Sequence, residues 1–166
     1  ISNFALHSDE TNYIIPVLKE ILAINPDLKV IASAWTCPKW MKVEDIKTKT
    51  PKDSWTAGHL NPDYRVTYAR YFVKFIKATK EKGINIYAVS PQNEPLNRHN
   101  CASLYMPWQE EAPFVKALAT EFYNNNLTTK IYIYDHNYNY DNIEDQNNYP
   151  LKVYEQLNSE SFAGSE

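Results

Sequence analysis

Residues 90–95, Ser-Pro-Gln-Asn-Glu-Pro, set two amides and a carboxylate directly after an apolar, β-branched run at 84–90. Such a cluster either caps a turn or works on a substrate. The chemistry it suits is hydrolysis of a glycosidic bond. One carboxylic acid protonates the leaving oxygen, and a second carboxylate acts as nucleophile or base. Glu94 is the candidate acid, and Asn93 is placed to donate a hydrogen bond to a sugar 2-hydroxyl, a contact that strengthens at the transition state. A general acid needs surroundings that keep it protonated near neutrality, and burial beside aromatic rings provides them. Two further polar or aromatic clusters follow strand-like runs: Trp35-Thr36-Cys37-Pro38-Lys39-Trp40, and Asp135-His136-Asn137.

The elements that must hold these clusters alternate along the chain. Residues 9–24 carry Ile14, Leu18, Ile21 and Leu22 at helical spacing, with Pro16 as a first-turn residue or a kink. Residues 28–35 read as a buried strand, followed by a polar loop from Thr36 to about His59. Asn61-Pro62-Asp63 is a helix start: a capping side chain, proline in the first turn and an acid at the positive dipole end. That helix shows Tyr68, Tyr71, Phe72, Phe75 and Ile76 on one face and stops at Gly83. A strand at 84–90, a helix bearing Phe114, Leu118 and Phe122, a strand at 130–134 and a helix from about Tyr149 to Leu157 complete the order.

Strands separated by helices of this length pair in parallel, which predicts an α/β fold. A doubly wound sheet and a (β/α)8 barrel both fit the order. With three glycines in the chain and no Gly-rich loop after a strand, the phosphate-binding version of the doubly wound sheet is disfavoured. A barrel needs about 250 residues, so three strands in 166 residues would be part of one. In either architecture the carboxyl ends of parallel strands face one rim, where the three polar clusters would converge.

Composition narrows the partners. The net charge of −3 is spread without a basic block, which offers nothing to a nucleic acid or an acidic membrane surface. No stretch is long and apolar enough for stable membrane insertion. Aromatic residues make up 14%, including thirteen tyrosines and four tryptophans; rings of this kind line sugar clefts, although most of the tyrosines are expected in the core. Cys37 and Cys101 are too few for a disulfide framework, and their pairing stays open. His99, Cys101 and His136 lack metal-ligand spacing, so no metal or cofactor is expected. Lys39, Lys42, Lys47 and Lys49 read as a solvated loop face, and Trp108 as either a distal sugar platform or a hydrophobic staple. The chain begins at Ile1, so the lack of a targeting segment carries little information.

Three stretches resemble glycoside hydrolase family 30 in the right order: SAWTCPKWMK at 33–42, YARYFVKFIKATKEKGINIYAVSPQNEPLN at 68–97, and IYIYDHN at 131–137. The family includes glucosylceramidases, bacterial β-glycosidases and endo-β-1,6-glucanases. The resemblance implies a (β/α)8 barrel whose third, fourth and fifth strands are the three runs above, and a retaining double displacement. It implies that Glu94 is the acid/base, that Asn93 contacts the sugar in the first subsite, that Trp35 lines that subsite, and that Asp135 and Asn137 shape the cleft.

It also implies an incomplete site. The nucleophilic glutamate of the family stands after strand seven, beyond this chain; Glu160 and Glu166 belong to the wrong part of the barrel. Residues 1–166 are thus expected to be a fragment of a single catalytic domain, without the family's β-sandwich accessory domain, and inactive in isolation. The rest of the barrel would be needed for a complete site, and open strands would leave exposed edges. The expected partner is a carbohydrate: a β-glucoside, a β-glucan or a glycolipid. The full-length parent is expected to be secreted, periplasmic or on the cell surface. The competing expectation is a carbohydrate-binding protein that kept the cleft and lost the chemistry.

Overall fold

A computed structural model describes residues 1–136 and 143–159, so Asn137, Glu160 and Glu166 lie outside the described residues. A π-helical turn, Glu10–Ile14, leads directly into α1 (Ile15–Ile24), with Pro16 in the first turn of α1. Strand β1 (Val30–Ser33) follows. Then come two two-residue strands, β2 (Lys42–Val43) and β3 (His59–Leu60), which pair antiparallel as a hairpin. Helix α2 (Arg65–Glu81) opens on a 3-10 turn whose cap is Asn61, its side chain accepting from the Asp63 N–H at 3.0 Å. Past its end, Gly83 takes the left-handed conformation (φ 86°) that glycine adopts without a Cβ clash. Strand β4 (Ile86–Ser90), helix α3 (Trp108–Asn124), strand β5 (Lys130–Ile131) and helix α4 (Tyr149–Ser159) complete the order.

The main sheet has the order β1-β4-β5 and is parallel throughout. β4 is central. It pairs Ala32↔Val89 and Ser33↔Ser90 on one side and Ala88↔Lys130 and Val89↔Ile131 on the other. Ala88 and Val89 are fully buried, as the middle strand of a covered parallel sheet requires. Helices α2 and α3 pack against each other, with the Tyr68 ring stacked on Phe114 at 5.1 Å and edge-on to Phe72 at 5.0 Å. A second cluster joins α3 to α4 through Ala112, Tyr149 and Val153.

Several expectations need correcting. The strand expected at 130–134 ends at Ile131; the Tyr132 N–H still reaches the Val89 carbonyl, but Tyr134 takes a left-handed backbone (φ 69°) and turns the chain away. The polar loop after Thr36 contains the β2–β3 hairpin, and Lys42 within it is not solvated: it is 1% exposed. Helix α1 turns Ile15 into the core while Ile14 and Ile21 are exposed, because Ile14 falls in the π-helical turn and the buried stripe runs through Ile15, Leu18 and Leu22 instead. Among the tyrosines, Tyr68 and Tyr149 are fully buried, Tyr64 and Tyr71 pack partly against the core, and Tyr13, Tyr123, Tyr132 and Tyr154 are exposed. Cys37 is buried, Cys101 is exposed, and both are free thiols.

Candidate active site

The β1–β4 ladder does not stop where the strands do. Beyond it, the Asn93 N–H donates to the Ala34 carbonyl at 2.6 Å, and the Gln92 amide Nε2 donates to the Trp35 carbonyl at 2.8 Å. Gln92 is fully buried, so these bonds are shielded from water. They fix the turn that carries Trp35 against the turn that carries Asn93 and Glu94. Trp35 itself is 50% exposed, leaving half its surface open at the rim.

Glu94 sits where the backbone is least comfortable, with φ 44°, a conformation that non-glycine residues adopt at a cost and that clusters at functional sites. Its side chain is only 12% exposed. Among the described residues, Asn97, Asn100 and His136 converge on the carboxylate. Asn97 Nδ2 donates to Oε2 at 3.1 Å, Asn100 Nδ2 donates to the same oxygen, and His136 Nδ1 stands 2.9 Å from Oε1. The turn is closed by Asn97 N–H donating to the Glu94 carbonyl at 2.8 Å.

Asp135 accepts from the Ser33 hydroxyl, so the loop after β5 is tied to the end of β1 across the central strand. Trp35, Asn93, Glu94 and Asp135 are therefore brought to one end of the sheet, and Asn137 lies outside the described residues. Trp108 takes a structural position: its indole Nε1 donates to the Asp145 carbonyl at 2.9 Å and its backbone N–H to the Gln146 side chain, bolting the start of α3 to the segment before α4.

Two charged groups under the rim escaped the residue patterns. Lys42 Nζ donates to the Ser103 carbonyl at 2.7 Å and to Thr36 Oγ1 at 3.1 Å, bridging the Trp35 turn and the β4–α3 loop. Burial pushes its ammonium down to about 8, and the neighbouring Cys37 opposes that shift. Glu111 is fully buried in the first turn of α3, accepts from the Tyr134 N–H at 3.4 Å, and is pushed up to about 8 by desolvation. Asn97 and Asn100 carried a faint signal, three and six residues after Glu94 in one loop. Lys42 and Glu111 carried none, since each has the look of a surface residue in a polar stretch. Among the described residues no group of three or more His, Cys, Asp or Glu is placed to hold a metal ion. A cavity of about 230 Å³, lined by Ala32, Ser33, Thr36, Tyr68, Tyr71 and Phe72, lies between β1 and α2 rather than at Glu94.

Comparison with known proteins decides the family. The glycosyl hydrolase family 30 TIM-barrel domain matches residues 1–106, which include Trp35, Asn93 and Glu94. The chain belongs to this family. The parallel sheet and its helices are accordingly a segment of the glycosyl hydrolase family 30 TIM barrel. A solved endo-β1,6-glucanase of the same fold is 62% identical with a TM-score of 0.92, the match covering 97% of this chain and 36% of that one. The endo-1,6-β-D-glucanase of Neurospora crassa is 33% identical over 155 residues, covering 92% of this chain and 30% of the relative. The lysosomal acid glucosylceramidase of Mus musculus is 31% identical over 96 residues, covering 57% of this chain and 18% of the relative. The chain thus spans about a third of the length of the endoglucanases it matches.

Proposed function

We propose that this chain supplies the acid/base half of the active site of a retaining β-glycosidase, with Glu94 as that residue, Asn93 and Trp35 contacting the first sugar, and the nucleophile elsewhere in the longer protein. The observation that carries this is Glu94 itself: a carboxylate after the central parallel strand, in a left-handed backbone, with Asn97, Asn100 and His136 aimed at its two oxygens. In the first step protonated Glu94 gives its proton to the glycosidic oxygen as the nucleophile bonds to the anomeric carbon and the aglycone leaves. In the second, the Glu94 carboxylate takes a proton from water, whose oxygen displaces the nucleophile.

The favoured substrate is a β-1,6-linked glucan. The solved endo-β1,6-glucanase is similar over 97% of the chain at 62% identity, whereas likeness to glucosylceramidase stops at 57% of it. A role in glycolipid turnover and export from the cell both remain secondary to this reading. In the longer protein, Glu94→Gln should lower turnover of β-1,6-glucan by roughly 10²–10⁴-fold, the usual worth of general acid–base catalysis. Aryl glucosides with good leaving groups need no acid in the first step, and azide should restore their turnover as a β-glucosyl azide. Undiminished hydrolysis of the polymer by Glu94→Gln would overturn the assignment. A longer protein with no activity on any β-glycoside, but measurable binding, would point instead to a carbohydrate-binding protein.

A further inference from the structure

The two oxygens of Glu94 are held in different ways. Oε2 receives the amides of Asn97 and Asn100, which belong to the same loop as Glu94 and neither gain nor lose protons at ordinary pH. Oε1 faces His136, from the loop after β5, with Nδ1 at 2.9 Å. We propose that His136 is a positioning residue for Glu94: its imidazole holds Oε1 and so aims the carboxylate that serves as base in the second half of the reaction. This rests on Glu94 being the acid/base.

Three features of the loop support a purpose beyond packing. Tyr134 and His136 both adopt left-handed backbones, at φ 69° and 79°, which non-glycine residues adopt only at a cost. The His136 side chain is 58% exposed, so burial of the ring does not offset that cost. The loop is nonetheless tied down at consecutive residues: Tyr134 N–H donates to the buried Glu111 carboxyl, Asp135 accepts from Ser33, and His136 meets Glu94. The constraint delivers one outcome, an imidazole nitrogen against Oε1 of the carboxylate. Because a hydrogen bond from N–H to an ionised acceptor is stronger than one to a neutral acid, the contact favours the step in which Glu94 is a carboxylate. That step is deglycosylation.

The test uses the longer protein and 2,4-dinitrophenyl β-glucoside, whose departure needs no acid, so that deglycosylation limits kcat. His136→Leu should lower kcat about tenfold to a hundredfold, a part of what a general base contributes. KM should fall with it, since the glycosyl-enzyme accumulates. Azide, which needs no base, should restore kcat. His136→Asn keeps a donor at the position of Nδ1 and should recover most of the rate. An unchanged kcat would overturn the proposal, as would a loss that azide does not repair and that His136→Asn shares in full. Glu94→Gln measured alongside separates the two ideas: azide rescue in that variant with none of these effects at His136 refutes only the role of His136, whereas full activity in Glu94→Gln refutes the reading beneath it.

Discussion

Glu111 has no solvent contact, and burial pushes its carboxyl up from its ordinary 4.5 to about 8, against the opposing pull of the Tyr149 hydroxyl. The folded protein therefore keeps a proton that the unfolded chain releases near 4.5. Its contribution to stability is fully present below that value and is lost as pH rises through about 8. Glu111→Gln carries no such proton. The difference in stability between variant and wild type should thus shift in the variant's favour from about pH 5 to pH 8, by up to a few kcal/mol. Thermal unfolding of the longer protein across that range checks it, and a difference independent of pH would contradict it. Site residues differ in how far they were legible one by one. Glu94 and Asn93 stood out because two amides and an acid at a strand end are chemically unusual. Lys42 and Glu111 did not, because a lysine in a polar loop and a glutamate in a first helical turn look ordinary until the surrounding chain removes their water.

The β2–β3 hairpin is the element that departs most from expectation. Two-residue strands carry no period, and a lysine within one points to solvent in any reading of pattern alone. The hairpin is held from outside instead. Its Lys42 reaches Ser103, the Ala57 N–H donates to the Ser103 hydroxyl at 2.9 Å, and the Tyr105 N–H donates to the Gly58 carbonyl at 2.8 Å. The helices and the three parallel strands were legible because each buries a face whose period is its own, as Phe114, Leu118 and Phe122 do on α3. Lys42→Met keeps most of the length of the side chain and removes the bridge to the Ser103 carbonyl. The loss is on the order of 1–2 kcal/mol, so hydrogen exchange at the hairpin amides should quicken roughly tenfold. Exchange at the wild-type rate would show that the backbone bonds alone suffice.

At the scale of the whole molecule, one carboxylate does not make a retaining site. The reaction needs two carboxyl groups about 5 Å apart, and Glu94 supplies one of them in the proposed site. Purified residues 1–166 should therefore show no turnover of aryl β-glucosides above background, while the longer protein turns them over; hydrolysis by the 166-residue chain would mean that a second carboxylate within it completes the site. Ile31 of β1 and Tyr132 beyond β5, on the two outer sides of the sheet, are exposed.

The amino-acid order by itself determined the four helices, the three parallel strands, their order and the cluster at 91–95, because helix caps, strand composition and apolar period act over a few residues. Only the tertiary structure decided what meets Glu94. Parallel neighbours lie about 4.8 Å apart yet are separated by a helix's length of chain. The Ser33–Asp135 bond joins residues 102 apart, and the imidazole of His136 arrives beside it through that same closure. Contacts of that range depend on how helices pack over a sheet, and no local pattern encodes them.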